Sequence, residues 1–253
     1  MSGHSKWSTI KRQKASTDAK RGQLFTKLSK EIMIAVQQGG GSNLETNFKL
    51  RLSVQKAKDS NMPTDTIDNA IKRASGNLDG EQLNEIIYEG YGPGGTAILV
   101  QCLTSNKNRT AAAVRSTFNK FSGNLGENGC VSWNFEHKGI IITTHSEKDL
   151  DETALIAIDC GADDVTIADG ILEILSNPEN LENIRDSLEK ENFQIQSSEE
   201  SMVPKSTISL KENTAETTLK LLDELEEIQD VQKVHSNADF PDNILAKYKN
   251  SQE

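Results

Sequence analysis

The chain has 253 residues, of which 28 are Lys or Arg and 38 are Asp or Glu, so its formal net charge is −10. It is long enough to bury a core in one large or several small domains. It contains no run of roughly 18 apolar residues and no apolar leader, so we predict neither a transmembrane protein nor a secreted one. Its three cysteines, Cys102, Cys130 and Cys160, are too sparse for a disulfide scaffold, which favours the reducing cytoplasm.

Positive charge is concentrated at the amino-terminal end. Residues 1–80 hold 14 basic and 7 acidic residues, whereas residues 81–253 hold 14 basic and 31 acidic residues. A basic end on an acidic body favours a module that binds a polyanion such as nucleic acid, and a solvated basic face is the simpler alternative. The predicted phosphate contacts are Lys6, Lys11, Arg12, Lys14, Lys20, Arg21, Lys27 and Lys30. Trp7 lies among them and either stacks on a base, or packs in a core or as a cap over the helical domain.

Apolar residues recur at helical spacing as far as Gly76. The pattern predicts a helix from Lys20 to the glycines at 39–41, a second helix at about residues 45–60, and a third that begins near Pro63. Residues 1–78 are therefore predicted to form a basic helical domain. The residues predicted to face its core are Leu24, Phe25, Leu28, Ile32 and Ala35 in the first helix, Phe48, Leu52 and Ala57 in the second, and Ile67, Ala70, Ile71 and Ala74 in the third.

Strand patterns follow a polar linker. Apolar runs at 86–88 and 97–103 flank the glycine-rich segment 90–95 and predict a hairpin, followed by a helix at 110–120. A strand is predicted at 131–135, with Val131, Trp133 and Phe135 on one face. Residues 140–197 follow the order β-α-β-β-α-β, which is typical of a ferredoxin-like unit. The predicted elements that follow are a strand at 207–210, a helix at 214–227, a strand at 231–235 and a short helix around 244–248.

These elements predict an α+β protein of three domains. The predicted boundaries are 1–78 for the helical domain, 79–136 with 205–240 for a discontinuous α+β domain, 137–204 for a ferredoxin-like domain inserted in it, and 241–253 for a polar tail.

The sequence contains no constellation of residues that points to catalysis. The segment 90–95 matches G-x-G-x-x-G, but a strand rather than a helix is predicted after it, which argues against a dinucleotide site. The four histidines share no metal-ligand spacing, and Cys130 is predicted to be a half-buried thiol rather than a nucleophile. We therefore predict a protein that is not an enzyme and needs no metal, cofactor or small-molecule substrate. A second group of phosphate-binding candidates is Lys107, Arg109, Arg115 and Lys120.

Several motifs resemble those of the YebC/PmpR family. They are Gly3-His4-Ser5-Lys6-Trp7 with Ile10-Lys11 and Lys14, Asn61-Met62-Pro63 with Ala70-Ile71-Lys72, Tyr88 to Gly95, and Asn108-Arg109-Thr110. The chain departs from the family pattern at Asn43-Leu44, at Ser105, at Ser122 and at Cys130.

The resemblance implies a cytoplasmic, non-enzymatic protein of three domains that binds nucleic acid. Members are described as DNA-binding transcriptional regulators, and this is the predicted function, with Arg109 added to the predicted contacts. The alternative is a ribosome-associated translation factor or translational activator that binds ribosomal RNA through the same surface. Whether the hairpin at 90–95 contacts a partner or only turns the chain is left open.

Overall fold

The computed structural model describes residue 7 and residues 18–76, 83–144, 150–168 and 171–251. The chain is an α+β protein, as predicted. Its first part is helical, and two four-stranded sheets follow. The helices are α1 (Asp18–Gln38), α2 (Phe48–Asp59), α3 (Thr64–Ala74), α4 (Lys107–Lys120), α5 (Leu150–Asp159), α6 (Leu181–Lys190), α7 (Glu212–Glu227) and α8 (Asp242–Ser251). The strands are β1 (Asn84–Tyr91), β2 (Ala97–Thr104), β3 (Asn124–Leu125), β4 (Phe135–Thr144), β5 (Asp164–Ala168), β6 (Ile171–Ser176), β7 (Gln194–Pro204), β8 (Ile208–Ser209), β9 (Val231–Ser236) and β10 (Ala238–Asp239).

Helices α1 to α3 pack around one apolar cluster. Leu28, Ile32 and Ala35 of α1 are buried there, and Leu24 and Phe25 pack against it, as the periodicity predicts. The prediction for α2 was wrong in part, because Leu50, Val54 and Ala57 are buried whereas Phe48 is exposed. The reason is helical spacing: each residue advances the helix by about 100°, so Phe48 lies on the side opposite Leu50, Val54 and Ala57. The Asn47 side chain accepts a hydrogen bond from the Leu50 amide and caps the start of the helix.

The middle sheet has the strand order β3-β1-β2-β9. Its hairpin pairs β1 with β2 from Asn84↔Thr104 to Tyr91↔Ala97. The glycine-rich segment is the turn of this hairpin, and β2 follows it as predicted, so the segment lacks the α-helix that a dinucleotide site needs at this point. Strand β2 is buried on both faces. One face packs Ile98 and Val100 against α4 and α7, and the other packs Leu99 against Val131 and Phe135.

The second sheet has the order β5-β6-β4-β7, and all of its pairings are antiparallel. Helices α5 and α6 bury Ala157, Ile184 and Leu188 against Ile141 and Ile174 of this sheet. This is the predicted ferredoxin-like unit. Strand β7 is longer than predicted because it pairs with β4 along the whole length of that strand. The exact domain boundaries given above stay predictions.

The predicted strand at 131–135 is wrong. Residues Ser132–Asn134 form a 3₁₀ turn, and β4 begins only at Phe135. Val131 and Phe135 are buried, but Trp133 is 67% exposed. The backbone does not extend here because the buried Glu89 carboxylate binds the amides of Gly129, Val131 and Ser132.

Gly90 is required by close packing within the middle sheet. A Cβ atom at this position would lie 2.7 Å from the Asn124 carbonyl oxygen and 2.8 Å from the Phe118 ring. We therefore expect Gly90→Ala to lower the free energy of unfolding by about 2 kcal/mol, since neither neighbour has room to move. Denaturant unfolding measures this. Gly22→Ala is the control, because nothing lies within 4 Å of its Cβ position, and it should leave stability unchanged or raise it slightly.

Candidate nucleic-acid interface

The predicted contacts of the amino-terminal segment lie in different structural settings. Lys6, Lys11, Arg12 and Lys14 fall outside the described residues. Lys20 lies in α1, where only its backbone is described, and Arg21 is exposed near the start of the same helix. Their predicted role in phosphate binding stays a prediction.

Trp7 is buried in the core of the α+β domain that contains the middle sheet, which we call the middle domain. It is 1% exposed and belongs to the same apolar cluster as Ile98, Val100 and Phe118. In this position neither face of the indole is open to a base. The structure therefore favours the packing alternative for Trp7 over base stacking.

Lys30 binds a carboxylate of the middle domain. Its ammonium group donates to Oδ1 of Asp230 at 2.8 Å and to the carbonyl oxygen of Gln229 at 3.1 Å. Both partners lie in the connection between α7 and β9. Lys27, one helical turn earlier, donates to the carbonyl oxygen of Glu226 at 2.7 Å. This is a correction to the sequence analysis, because the structure places both ammonium groups in a contact between domains rather than on an open phosphate-binding surface.

Arg109 reaches the same carboxylate from the opposite side. Its Nη2 atom lies 2.8 Å from Oδ2 of Asp230, and the hydroxyl groups of Thr110 and Thr104 donate to that oxygen at 2.8 and 3.2 Å. The side chain of Arg109 is 60% exposed, whereas that of Asp230 is only 7% exposed. Arg109 can therefore present part of its guanidinium group to a ligand while it remains in this cluster, which we call the Asp230 cluster (Lys30, Thr104, Arg109, Thr110 and Asp230).

The Asp230 cluster strongly favours the ionised carboxylate. Burial alone would raise the pKa of Asp230, but the hydrogen bonds from Lys30, Arg109 and Thr110 lower it to about 2. Asp230 is thus a fixed negative charge that holds the helical domain, the end of β2 and the start of α4 together.

Other cations of the helical domain are exposed, and most lie on α2 and α3. The helix α2 contains four basic residues and one acid, Asp59. None of these cations is among the contacts predicted from the sequence. The signal that would have found them is the spacing of charge opposite the buried face of the helix. The exposed cations are Lys49, Arg51, Lys58, Lys72 and Arg73.

The second predicted group of cations lies on α4. Lys107 and Arg115 are exposed, and Lys120 is paired with Glu224 at 2.8 Å on the neighbouring helix α7. Since α7 ends in an acidic run, this face of the molecule is more neutral than the sequence of α4 alone indicates.

A loop that the sequence analysis missed is organised by Glu89. Its carboxylate accepts hydrogen bonds from the amides of Gly129, Val131 and Ser132 at 2.8 to 2.9 Å. Burial would raise the pKa of Glu89, but these three bonds lower it below its ordinary value. The exposed rings of Tyr91 and Trp133 both donate to the carbonyl oxygen of Cys130 and cover the loop.

The described side chains include all three cysteines and several His, Asp and Glu residues, the groups from which metal sites and nucleophiles are built. No group of three or more His, Cys, Asp and Glu side chains within them is arranged to hold a metal ion. Burial raises the pKa of all three cysteine thiols, that of Cys102 to about 12, and Cys130 is half-buried as predicted. In the same part of the chain, no helix is both long and apolar enough to span a membrane.

Comparison with known proteins defines the class of this chain. The model of the TACO1/YebC protein N-terminal domain matches residues 5–77, and the model of the TACO1/YebC second and third domain matches residues 83–238. The two matches fall on the helical part and on the two sheets. The chain therefore belongs to the TACO1/YebC family.

Relatives of high identity cover nearly the whole chain. A probable transcriptional regulatory protein of Dehalococcoides mccartyi is 54% identical over 98% of each chain, and one of Dictyoglomus turgidum is 50% identical over 97% of this chain and 98% of its own. The crystal structure of a conserved hypothetical protein from Aquifex aeolicus has a TM-score of 0.82 and 44% identity. It covers 90% of this chain and 93% of that chain.

Proposed function

We propose that this chain is a non-enzymatic regulator of gene expression, a transcriptional regulator that binds DNA through its basic helical domain. The observation that carries the proposal is the separation of charge between the domains. Residues 1–80 hold twice as many basic as acidic residues, whereas residues 81–253 are strongly acidic. The names of the relatives support a regulatory role.

The proposed contacts are with phosphate groups rather than with base edges. Exposed Lys and Arg side chains neutralise phosphates and release counterions, which provides affinity without sequence information. The cations of α2 and α3 join the predicted contacts of the amino-terminal segment in this surface. Lys27 and Lys30 do not belong to it, because the middle domain holds them.

Charge reversal of Lys11, Arg12 and Lys14 to Glu tests the proposal. We expect the triple variant to lose binding to a DNA duplex at moderate salt, because three attractive contacts become repulsive. Fluorescence anisotropy over a range of salt concentrations measures the effect, and the slope of log K against log salt should fall by about 3.

A matched control reverses three exposed lysines outside the helical domain. Lys205, Lys211 and Lys220 are exposed near or within α7, and their replacement by Glu changes the net charge by the same amount. This variant should bind DNA nearly as well as the unaltered chain. Equal losses in both variants would mean that only total charge matters, and the proposed surface would be wrong. If the unaltered chain does not bind DNA, the proposed function is wrong.

A further inference from the structure

An aromatic ring is exposed where α2 begins. Phe48 is 39% exposed and Leu44, in the loop before it, is 40% exposed. Large apolar side chains are mostly buried in small domains, and elsewhere in the described part of residues 18–76 they are buried or half-buried. The ring of Phe48 does not pack in the core of the helical domain, which points to a role at the surface.

The exposed ring sits on a well-fixed backbone. The buried side chain of Asn47 donates to the carbonyl oxygens of Ala35 and Gly41 at 2.8 and 2.7 Å, and it accepts from the amide of Leu50 at 3.0 Å. These bonds tie the start of α2 to the end of α1. Phe48 is the first residue of the helix, so its position is fixed as well.

Arg51 places its guanidinium group over the ring of Phe48. The guanidinium carbon lies 5.5 Å from the ring centroid, which is within the range of a cation–π contact. Its Nη1 atom donates to the carbonyl oxygen of Leu44 at 3.0 Å. The planar cation and the aromatic ring therefore form one preorganised, partly exposed surface.

The ring and the cations share one face of α2. Residues 48, 51, 55 and 58 follow one another at helical spacing and are all exposed, whereas Leu50, Val54 and Ala57 are buried. Asp59 is the acid on this helix, and it accepts a hydrogen bond from Gln55 at 2.8 Å. Lys49 is the next residue after the ring, and Lys58 lies on the face of Phe48 and Arg51 about 15 Å farther along the helix; both are exposed. We call Phe48, Lys49, Arg51 and Lys58 the α2 ridge.

We propose that the α2 ridge binds single-stranded nucleic acid by stacking an unpaired base on Phe48 and Arg51. Aromatic rings and guanidinium planes are the side chains on which unpaired bases stack, and neighbouring cations bind the strand's phosphates. Positive charge excludes a basic partner, and its combination with an exposed aromatic ring suits a strand that offers phosphates and base faces together. The inference rests on the proposed function and adds to it the preference for an unpaired strand. In a duplex the bases are stacked on one another inside the double helix, so no base face is open to the Phe48 ring.

Phe48→Leu tests this inference, because leucine keeps an apolar side chain but lacks an aromatic face. The probes are fluorescent oligouridylate, oligothymidylate and a blunt DNA duplex, measured by anisotropy. We expect about tenfold weaker binding of the single strands by this variant and no change for the duplex. Phe48→Tyr should restore single-strand binding. A larger loss of affinity for oligouridylate in Phe48→Leu would identify RNA as the source of the base, and a larger loss for oligothymidylate would identify melted DNA.

The controls separate this inference from the proposed function. Tyr91→Leu removes an exposed ring from the middle domain and should change none of the three affinities, and circular dichroism verifies that each variant is folded. If Phe48→Leu binds the single strands as tightly as the unaltered chain, the inference is wrong and the proposed function stands. If the unaltered chain binds none of the three probes, the proposed function itself fails. Phe48-dependent binding to anionic lipid vesicles, without loss of single-strand affinity, would also overturn the inference.

Discussion

Replacing Asp230 by alanine is expected to lower the free energy of unfolding by about 4 kcal/mol, because two cations lose a buried counterion. Lys30 has a side chain that is only 15% exposed, so its ammonium group would remain largely desolvated and would keep only carbonyl acceptors, such as that of Gln229, in place of its counterion. The hydroxyl groups of Thr104 and Thr110 would lose an acceptor at the same time. Denaturant unfolding measures the loss, and small-angle X-ray scattering should show that the helical domain separates from the middle domain.

The control for Asp230→Ala is an ion pair at the surface. Lys120 and Glu224 lie at the same distance, 2.8 Å, but their side chains are 58% and 49% exposed. Glu224→Ala should therefore cost no more than about 1 kcal/mol. Lys30→Met combined with Asp230→Ala should recover part of the stability, because it removes the unpaired buried charge. A loss of less than about 1 kcal/mol for Asp230→Ala would show that the cluster does not hold the domains together.

Acid should weaken the same contact. The pKa of Asp230 is lowered from 3.8 to about 2 in the folded chain. Since the folded state binds the proton less well than the unfolded state, this carboxylate contributes its full stability above pH 3.8 and loses it as the pH falls toward 2. The difference in stability between the unaltered chain and Asp230→Ala should shrink over that range.

Replacing Glu89 by alanine is the second change with a large expected effect, a loss of about 3 kcal/mol in the free energy of unfolding. Its carboxylate is the acceptor for the amides of Gly129, Val131 and Ser132, and Val131 is fully buried. Denaturant unfolding measures the loss. Hydrogen exchange should show faster exchange of these three amides, while the amides of α1 are unaffected.

Glu85→Ala is the matched control for Glu89→Ala, because Glu85 lies on the same strand but is exposed. It should change stability by less than about 0.5 kcal/mol. Because the pKa of Glu89 is lowered from 4.5, its contribution is complete above that pH and disappears as the pH falls below it. Unchanged exchange of the loop amides in Glu89→Ala would contradict the proposed role of the carboxylate.

Most of the fold could be predicted from the spacing of apolar residues, because that spacing shows which side of a helix or strand faces the core. The run at 97–103 predicted β2, the glycines at 90–95 predicted the hairpin turn, and the element order after residue 137 predicted the ferredoxin-like unit. These features depend on neighbouring residues, so the sequence displays them directly.

The two errors have different causes. Val131, Trp133 and Phe135 alternate like a strand, but Glu89, about forty residues away in the sequence, binds the amides that a strand would have used for pairing. Phe48 is as apolar as a core residue, but it lies on the side of α2 opposite the buried Leu50, Val54 and Ala57. In the first case a distant hydrogen-bond acceptor overrode the apolar alternation, and in the second the helical spacing itself exposes the ring.

The candidate nucleic-acid interface was likewise predicted in part from the sequence and decided in part by the tertiary structure. Composition by itself determined that positive charge is concentrated at one end of the chain and that the remainder is acidic. Only the tertiary structure decided which cations are open to a ligand. Lys30 meets Asp230 across 200 residues of sequence, and Lys27 meets Glu226 across 199. These two ammonium groups are held because a buried carboxylate or a carbonyl group of another domain lies within their reach, and that distance is set by how the domains pack.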